Sequence, residues 1–198
     1  MTRAVFDRTV ALVSLVVLSP LLAAIAVAVR VTSRGPVVFR QVRVGLEGRH
    51  FTILKFRTMV DGADRLAPNI SPEGDPRITP VGRWLRAWYL DELPQLVNVL
   101  RGDMSLVGPR PETPEYVALY TPAERRVLSV RPGLAGPSTL ANMDEAQCLA
   151  EVPDAAEHYE RVLMHQRVAL DMGYLDRRSI PYDVALLCRQ LVAIARTR

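Results

Sequence analysis

From Val10 to Val29 the chain carries no charged residue, reading VALVSLVVLSPLLAAIAVAV, and this run limits the possible folds more than any other feature. A helix needs roughly 20 such residues to cross a bilayer, and the run is about that long. Its middle, however, holds Ser19-Pro20. Proline has no N–H for the carbonyl of Val16 and its ring crowds that carbonyl, so a break is expected there, with the Ser19 hydroxyl able to satisfy freed backbone. Arg3 and Arg8 precede the run, and Arg30, Arg34, Arg40 and Arg43 follow it. Cationic flanks stay cytoplasmic, which puts both ends on one side. The segment therefore reads as a helix-break-helix that enters the membrane and returns, a monotopic re-entrant anchor over residues 1–34. A kinked span is one alternative. A cleaved signal peptide is another: Ala26-Val27-Ala28 resembles a cleavage site, against which stand the length of the run and Asp7.

The remainder, residues 35–198, has no Gly-, Ser- or Pro-rich linker, and 49% apolar residues suffice for one core. The expectation is an α+β, mainly helical, single cytosolic domain with a small β element. Cys148 and Cys188 lie far apart with no His at metal spacing, which excludes a disulfide framework or zinc site and suits a reducing compartment. The net charge of +4 is modest, but the cations cluster around Arg30–Arg49, Arg77–Arg86 and Arg125–Arg131. Phosphate ligands, an anionic membrane and nucleic acid would all meet that demand. No helix-turn-helix or RNA-binding signature is present, so nucleic acid is not expected.

Val37-Val38-Phe39 and Phe51-Thr52-Ile53-Leu54, with Gly45 and Gly48 between them, read as a hairpin. The stretch from Gly62 to Pro80, with Pro68, Asn69, Pro72 and Pro76, reads as a loop of the kind that covers active sites. Trp84, Leu85 and Trp88 predict a short helix over Val81–Leu90, and Leu93, Leu96, Val97 and Leu100 a second one that Gly102 stops. A helical stretch over Pro122–Val130, a turn at Arg131-Pro132-Gly133 and a helix over Ala155–Met172 follow. The last segment, Ile180–Arg198, sets Val184, Leu187, Leu191 and Ile194 on one side and Arg189, Arg196 and Arg198 elsewhere. Such a helix suits an anionic bilayer or the core equally well.

Asp91-Glu92-Leu93-Pro94, between the two predicted helices, is an adequate helix start with no function attached: an N-cap Asp, a first-turn Glu and an early Pro. Its company argues for more. Lys55, Arg57, Arg86, Arg101 and Arg110 are more cations than one acidic pair needs, and a diphosphate would use them.

LKFRTM (Leu54–Met59), RAWYLDELPQLVNVLRGDMSLVGPRP (Arg86–Pro111) and VRPGLAG (Val130–Gly136), with the N-terminal FDR and the Ser-Pro break, resemble the bacterial sugar transferase family, and within it the small monotopic phosphoglycosyl transferases. The resemblance covers most of Val5–Gly136. It implies transfer of a sugar phosphate from a UDP-sugar to polyprenyl phosphate in two steps, with Asp91 as the nucleophile that expels UMP, a chemistry in which an acyl phosphate splits one displacement into two. It implies that Glu92, with Asp91, supports Mg²⁺, and that Lys55, Arg57, Arg86, Arg110, Pro111 and Arg131 bind the phosphorylated substrates. The expected place is the cytosolic face of the bacterial inner membrane, among its lipids, where a lipid phosphate and a soluble nucleotide meet. No long apolar extension precedes Val10, as in minimal catalytic forms. A homodimer through the last helix is open, as is a non-catalytic membrane adaptor that binds phosphorylated lipids, against which the intact acidic pair argues. The chain departs from the family pattern after Gly136, where PSTLANMDEAQCLAEVPD stands. Pro137–Asp144 is expected to frame the sugar pocket, and the sugar itself is not legible.

Overall fold

The computed structural model describes residues 2–63 and 70–196, and within them the N-terminal break falls where the proline requires it. Helix α1 (Arg3–Val17) ends one residue before α2 (Ser19–Thr32), with Pro20 in the first turn of α2. The two helices are bent by 65°. Ser19 Oγ donates to the Val16 carbonyl at 2.8 Å, the group that proline strands. No single described helix is long and apolar enough to cross a membrane, but this bent pair passes the length and composition test together, as a broken span or a re-entrant loop. One side of the pair packs inward through Ala11, Ile25 and Val29, α1 against α4 and α2 against α3. The other side leaves Leu12, Val13, Val16, Val17, Val27 and Val31 exposed.

The predicted hairpin forms and is longer than its apolar runs: β1 (Val38–Val44) pairs antiparallel with β2 (His50–Phe56), Val38 opposite Phe56 and Val44 opposite His50. Helix α3 (Pro80–Ala87) is capped by Thr79, whose hydroxyl accepts from the Gly82 N–H at 2.9 Å. Helix α4 (Gln95–Arg101) stops at Gly102, whose φ of +89° is a left-handed cap that glycine adopts without strain. Asn98 of α4 is fully buried and seals the free edge of β2. Its Nδ2 donates to the Thr52 carbonyl at 2.7 Å and its Oδ1 accepts from the Leu54 N–H at 3.1 Å. Each backbone group left bare there would cost about 1–3 kcal/mol.

A second, parallel pair that the sequence did not suggest joins β3 (Ser105–Val107) to β4 (Gly133–Ala135). It brings GPRP beside RPG so closely that a Cβ on Gly133 would sit 2.0 Å from the Gly108 nitrogen. The short helices α5 (Pro114–Ala118), α6 (Pro137–Ala141) and α7 (Glu145–Ala150) were likewise not anticipated. The stretch predicted over Pro122–Val130 is a 3₁₀ turn at Glu124–Ser129. The predicted long helix becomes α8 (Ala155–His158), a π-turn at Tyr159–Leu163 and α9 (Met164–Leu175).

Helix α10 (Ile180–Arg196) meets the core with part of its apolar side only. Leu186 and Leu187 pack on the core, whereas Leu191 is 68% exposed. The result is an α+β, mainly helical molecule with two small sheets. Pro68, Asn69 and Arg198, singled out in the sequence, lie outside the described residues.

Candidate active site

The link between α3 and α4 is short and bent. Tyr89 takes a left-handed φ of 54°, uncommon for a bulky side chain, and Leu90–Glu92 form one 3₁₀ turn. Pro94, which has no capping side chain, then opens α4. Asp91 is therefore not the cap of α4. Strain at such a position points to a geometry that the site requires.

Asp91 and Glu92 are each only 8% exposed. Lys55, from the end of β2, donates Nζ to Glu92 Oε1 at 2.7 Å, and Arg110 approaches the same oxygen at 3.7 Å. Arg86, from α3, donates Nε to Thr58 Oγ1 and Nη1 to Ser71 Oγ, both at 2.9 Å, and its charge is felt by Asp91. Among the described residues no side chain donates a hydrogen bond to the Asp91 carboxylate.

The two neighbouring acids are thus pushed apart. Burial lifts the Asp91 carboxyl above its ordinary value, with Lys55 and Arg86 opposing and Glu92 adding to the rise. Burial acts on Glu92 in the same direction, but Lys55 and Arg110 outweigh it and bring that carboxyl down to about 2. A carboxylate that is dry, without a side-chain donor among the described residues and more basic than usual is a better nucleophile; one locked to two cations is a fixed charge.

The loops that carry the cations are held from behind. Asp171 of α9 accepts the Arg110 N–H at 3.0 Å and the Ser138 hydroxyl at 2.7 Å through Oδ2, and the Ser138 N–H at 3.2 Å through Oδ1. One carboxylate thereby ties GPRP to the start of α6. Arg43 of β1 donates to the Pro111 carbonyl at 3.1 Å and pairs with Glu112 at 3.4 Å. Tyr89 OH reaches the Met143 carbonyl at 3.3 Å, so the expected sugar-pocket segment lies beside the acidic turn. Asp171, Arg43 and Ser138 carry no short-range signal: Arg110 and Asp171 are 61 residues apart.

Of the expected substrate-binding residues, Lys55, Arg86 and Arg110 converge on the acidic pair, and Pro111 follows Arg110 in the chain. Arg57 is placed elsewhere. The strand ends at Phe56, and the Arg57 guanidinium turns to the C-terminal end of α2, donating to the Ser33 carbonyl at 2.8 Å, to Ser33 Oγ at 2.7 Å and to the Pro36 carbonyl. A cation on the last carbonyls of a helix is favourable in its own right. Arg131 is also apart, donating Nε to the Gly102 carbonyl at 2.8 Å, at the far end of α4.

No group of three or more acidic, His or Cys side chains among the described residues is arranged to hold a metal. Mg²⁺ does not need one. It commonly takes one or two carboxylates and completes its shell with phosphate oxygens and water, and the Asp91 carboxylate beside Glu92, free of side-chain donors among the described residues, fits that mode.

The model of the bacterial sugar transferase family matches residues 1–197. The chain belongs to the bacterial sugar transferase family. Among the relatives of this sugar transferase is the UDP-glucose:undecaprenyl-phosphate glucose-1-phosphate transferase of Caulobacter vibrioides, 40% identical over 98% of this chain and 70% of that protein. The undecaprenyl-phosphate glucose phosphotransferase of Komagataeibacter xylinus is 39% identical over 92% of this chain, which spans only 34% of that protein. An Aeromonas hydrophila relative, UDP-N-acetylgalactosamine-undecaprenyl-phosphate N-acetylgalactosaminephosphotransferase, is 42% identical over 66% of this chain and 31% of that protein. These relatives are enzymes of the transferase class, and their names divide between glucose and an N-acetylated amino sugar.

Proposed function

We propose that this protein transfers a sugar phosphate from a UDP-sugar to undecaprenyl phosphate on the cytosolic face of the bacterial inner membrane, through a phosphosugar held covalently on Asp91. The observation that carries this reading is the contrast inside the acidic pair: Glu92 is occupied by Lys55 and Arg110, while the buried Asp91 carboxylate has no side-chain donor among the described residues.

An Asp91 oxygen attacks the sugar-linked phosphorus, and the bond from that phosphorus to the bridging oxygen breaks. UMP leaves with the electron pair. An oxygen of the lipid phosphate then attacks the same phosphorus, the acyl phosphate bond breaks, and Asp91 is returned as a carboxylate with a lipid diphosphosugar as product. Mg²⁺, held by Asp91 and Glu92 with the diphosphate, would offset charge on the phosphate oxygens. Lys55 and Arg110 fix Glu92, and Arg86, braced by Thr58 and Ser71, presents a cation to the transferring group. Preorganised charge in a dry site is worth more than the same charge in water.

Anchoring is supported by the exposed apolar side of α1 and α2, by Trp84 on α3, which packs on α2, and by Trp88 just past its end, 53% and 40% exposed. Tryptophan favours the headgroup level. Monotopic re-entry would hold the acidic pair at the height of the lipid phosphate.

The test is incubation with Mg²⁺ and a panel of UDP-sugars, with and without undecaprenyl phosphate. The expected results are multiple-turnover UMP release only with the lipid and, without it, a phosphosugar adduct on Asp91 by mass spectrometry. UMP release that depends wholly on the lipid and never shows an adduct would replace the covalent route with direct displacement. No UMP from any donor would favour a binding protein.

A further inference from the structure

At the other end of α4 from the acidic pair lies a cavity of about 260 Å³. Helix α4 has 7 residues, about 1.5 Å each, so the two regions stand roughly 10 Å apart along it. Arg3, Asp7, Ser105, Ser129, Arg131 and Arg178 line the cavity. One water needs only about 10–15 Å³ of such space, so the cavity is ample for a phosphate group with part of its hydration.

The charges around it do not cancel. Arg3 gives Nε to Asp183 at 2.8 Å, and Asp7 accepts from the Ser105 hydroxyl. Arg131 spends only Nε, on the Gly102 carbonyl. Arg178 lies 6.0 Å from the Tyr174 ring centroid. Neither Arg131 nor Arg178 has a carboxylate partner among the described residues. Two guanidinium nitrogens, Arg3 Nη2 and Arg178 Nε, are buried with no hydrogen-bond partner. Arg131 is exposed and Arg178 half-buried, and three guanidinium groups line the space against the single carboxylate of Asp7. Water would satisfy the two buried donors, whereas an oxyanion would satisfy them and also meet the excess positive charge.

We propose that this cavity is a second anion site, which takes a phosphate oxyanion on Arg131 and Arg178 at the end of α4 remote from the acidic pair. Two sources share that chemistry, the headgroup of an anionic lipid and free phosphate. The lipid source rests on the anchoring proposed above, which sets the Arg3 end of α1 at the cytosolic headgroup level.

Equilibrium dialysis of the full chain in detergent against inorganic phosphate and, separately, short-chain phosphatidylglycerol tests it. The wild type is expected to bind, and Arg178→Glu to weaken binding about tenfold or more, the scale of one lost charge-assisted contact. Ser129→Asp, at an exposed position on the cavity wall, should weaken it too without touching a buried group, and carries the test if Arg178→Glu does not fold. Tighter binding of the lipid assigns the site to a headgroup, and tighter binding of phosphate to a soluble anion. Equal affinities for wild type and both variants with both probes overturn the proposal. UMP release is read on the same preparations, so loss of the transferase reading and loss of this site are told apart.

Discussion

The two ends of α4 are built from the same materials, arginines and buried aspartates, with opposite balance. At the front, Lys55 and Arg110 converge on Glu92 and a carboxylate, Asp91, is left without a side-chain donor among the described residues. At the rear, Asp183 pairs with Arg3, Asp7 accepts from Ser105, and guanidinium groups outnumber carboxylates in the lining. In each place the unspent group, not the paired ones, says what the region is for. A lone dry carboxylate calls for an electrophile or a cation, and lone guanidiniums call for an oxyanion.

The largest expected effect breaks the front. Asp91→Asn keeps the shape and removes the proposed nucleophile, and UMP release is expected to fall by roughly 10⁴-fold or more, the scale of losing a covalent nucleophile. Thermal unfolding should be unchanged or slightly raised, because a buried, donor-poor carboxylate is replaced by a neutral group. Wild-type turnover would remove Asp91 from the chemistry and leave the front as a charge cluster only.

An intermediate effect is expected at the rear, where Asp183 of α10 binds both Arg3 Nε and Tyr174 OH, the latter at 2.6 Å. Asp183→Ala strands a part-buried guanidinium and leaves the buried Tyr174 hydroxyl only the Val107 carbonyl, at 3.2 Å, at a cost of about 2–3 kcal/mol in denaturant unfolding. UMP release per folded molecule should change little. A loss of turnover comparable to that of Asp91→Asn would mean that the two ends are one site.

How much of this was legible depends on how local each cause is. Pro20 and Gly102 act within one turn, and the sequence placed both boundaries. The hairpin was visible because its apolar runs flank two glycines. β3 and β4, three residues each, are too short to show alternation, and only the mutual approach of Gly108 and Gly133 makes them pair. The sequence pattern over Ala155–Met172 reads as one continuous helix because a π-turn leaves the apolar spacing largely intact. The basic residues of KFRTM read as one group, yet Lys55 belongs to the strand and faces Glu92, while Arg57 lies past its end and turns to α2. Asp171 was invisible, since nothing near it in the chain hints at Arg110 or Ser138.

The smallest expected effect sharpens the front by acid. Asp75 is held at about 2, first by its hydrogen bond with the Arg77 side chain and against the opposing effect of burial, with Ser71 also bound to it. Ser71 Oγ in turn accepts from Arg86, so Asp75 braces the cation beside Asp91 at second hand. A carboxyl held below its unfolded value of 3.8 adds stability that is fully present above that value and is lost as pH falls from there through about 2. Hydrogen exchange should therefore quicken around residues 70–79 over that window in the wild type and be already fast in Asp75→Asn at neutral pH. Backbone amides around Gly102 should not share the step. If both ends of α4 loosen together, the bracing is global, and the separation between the two regions does not extend to their stability.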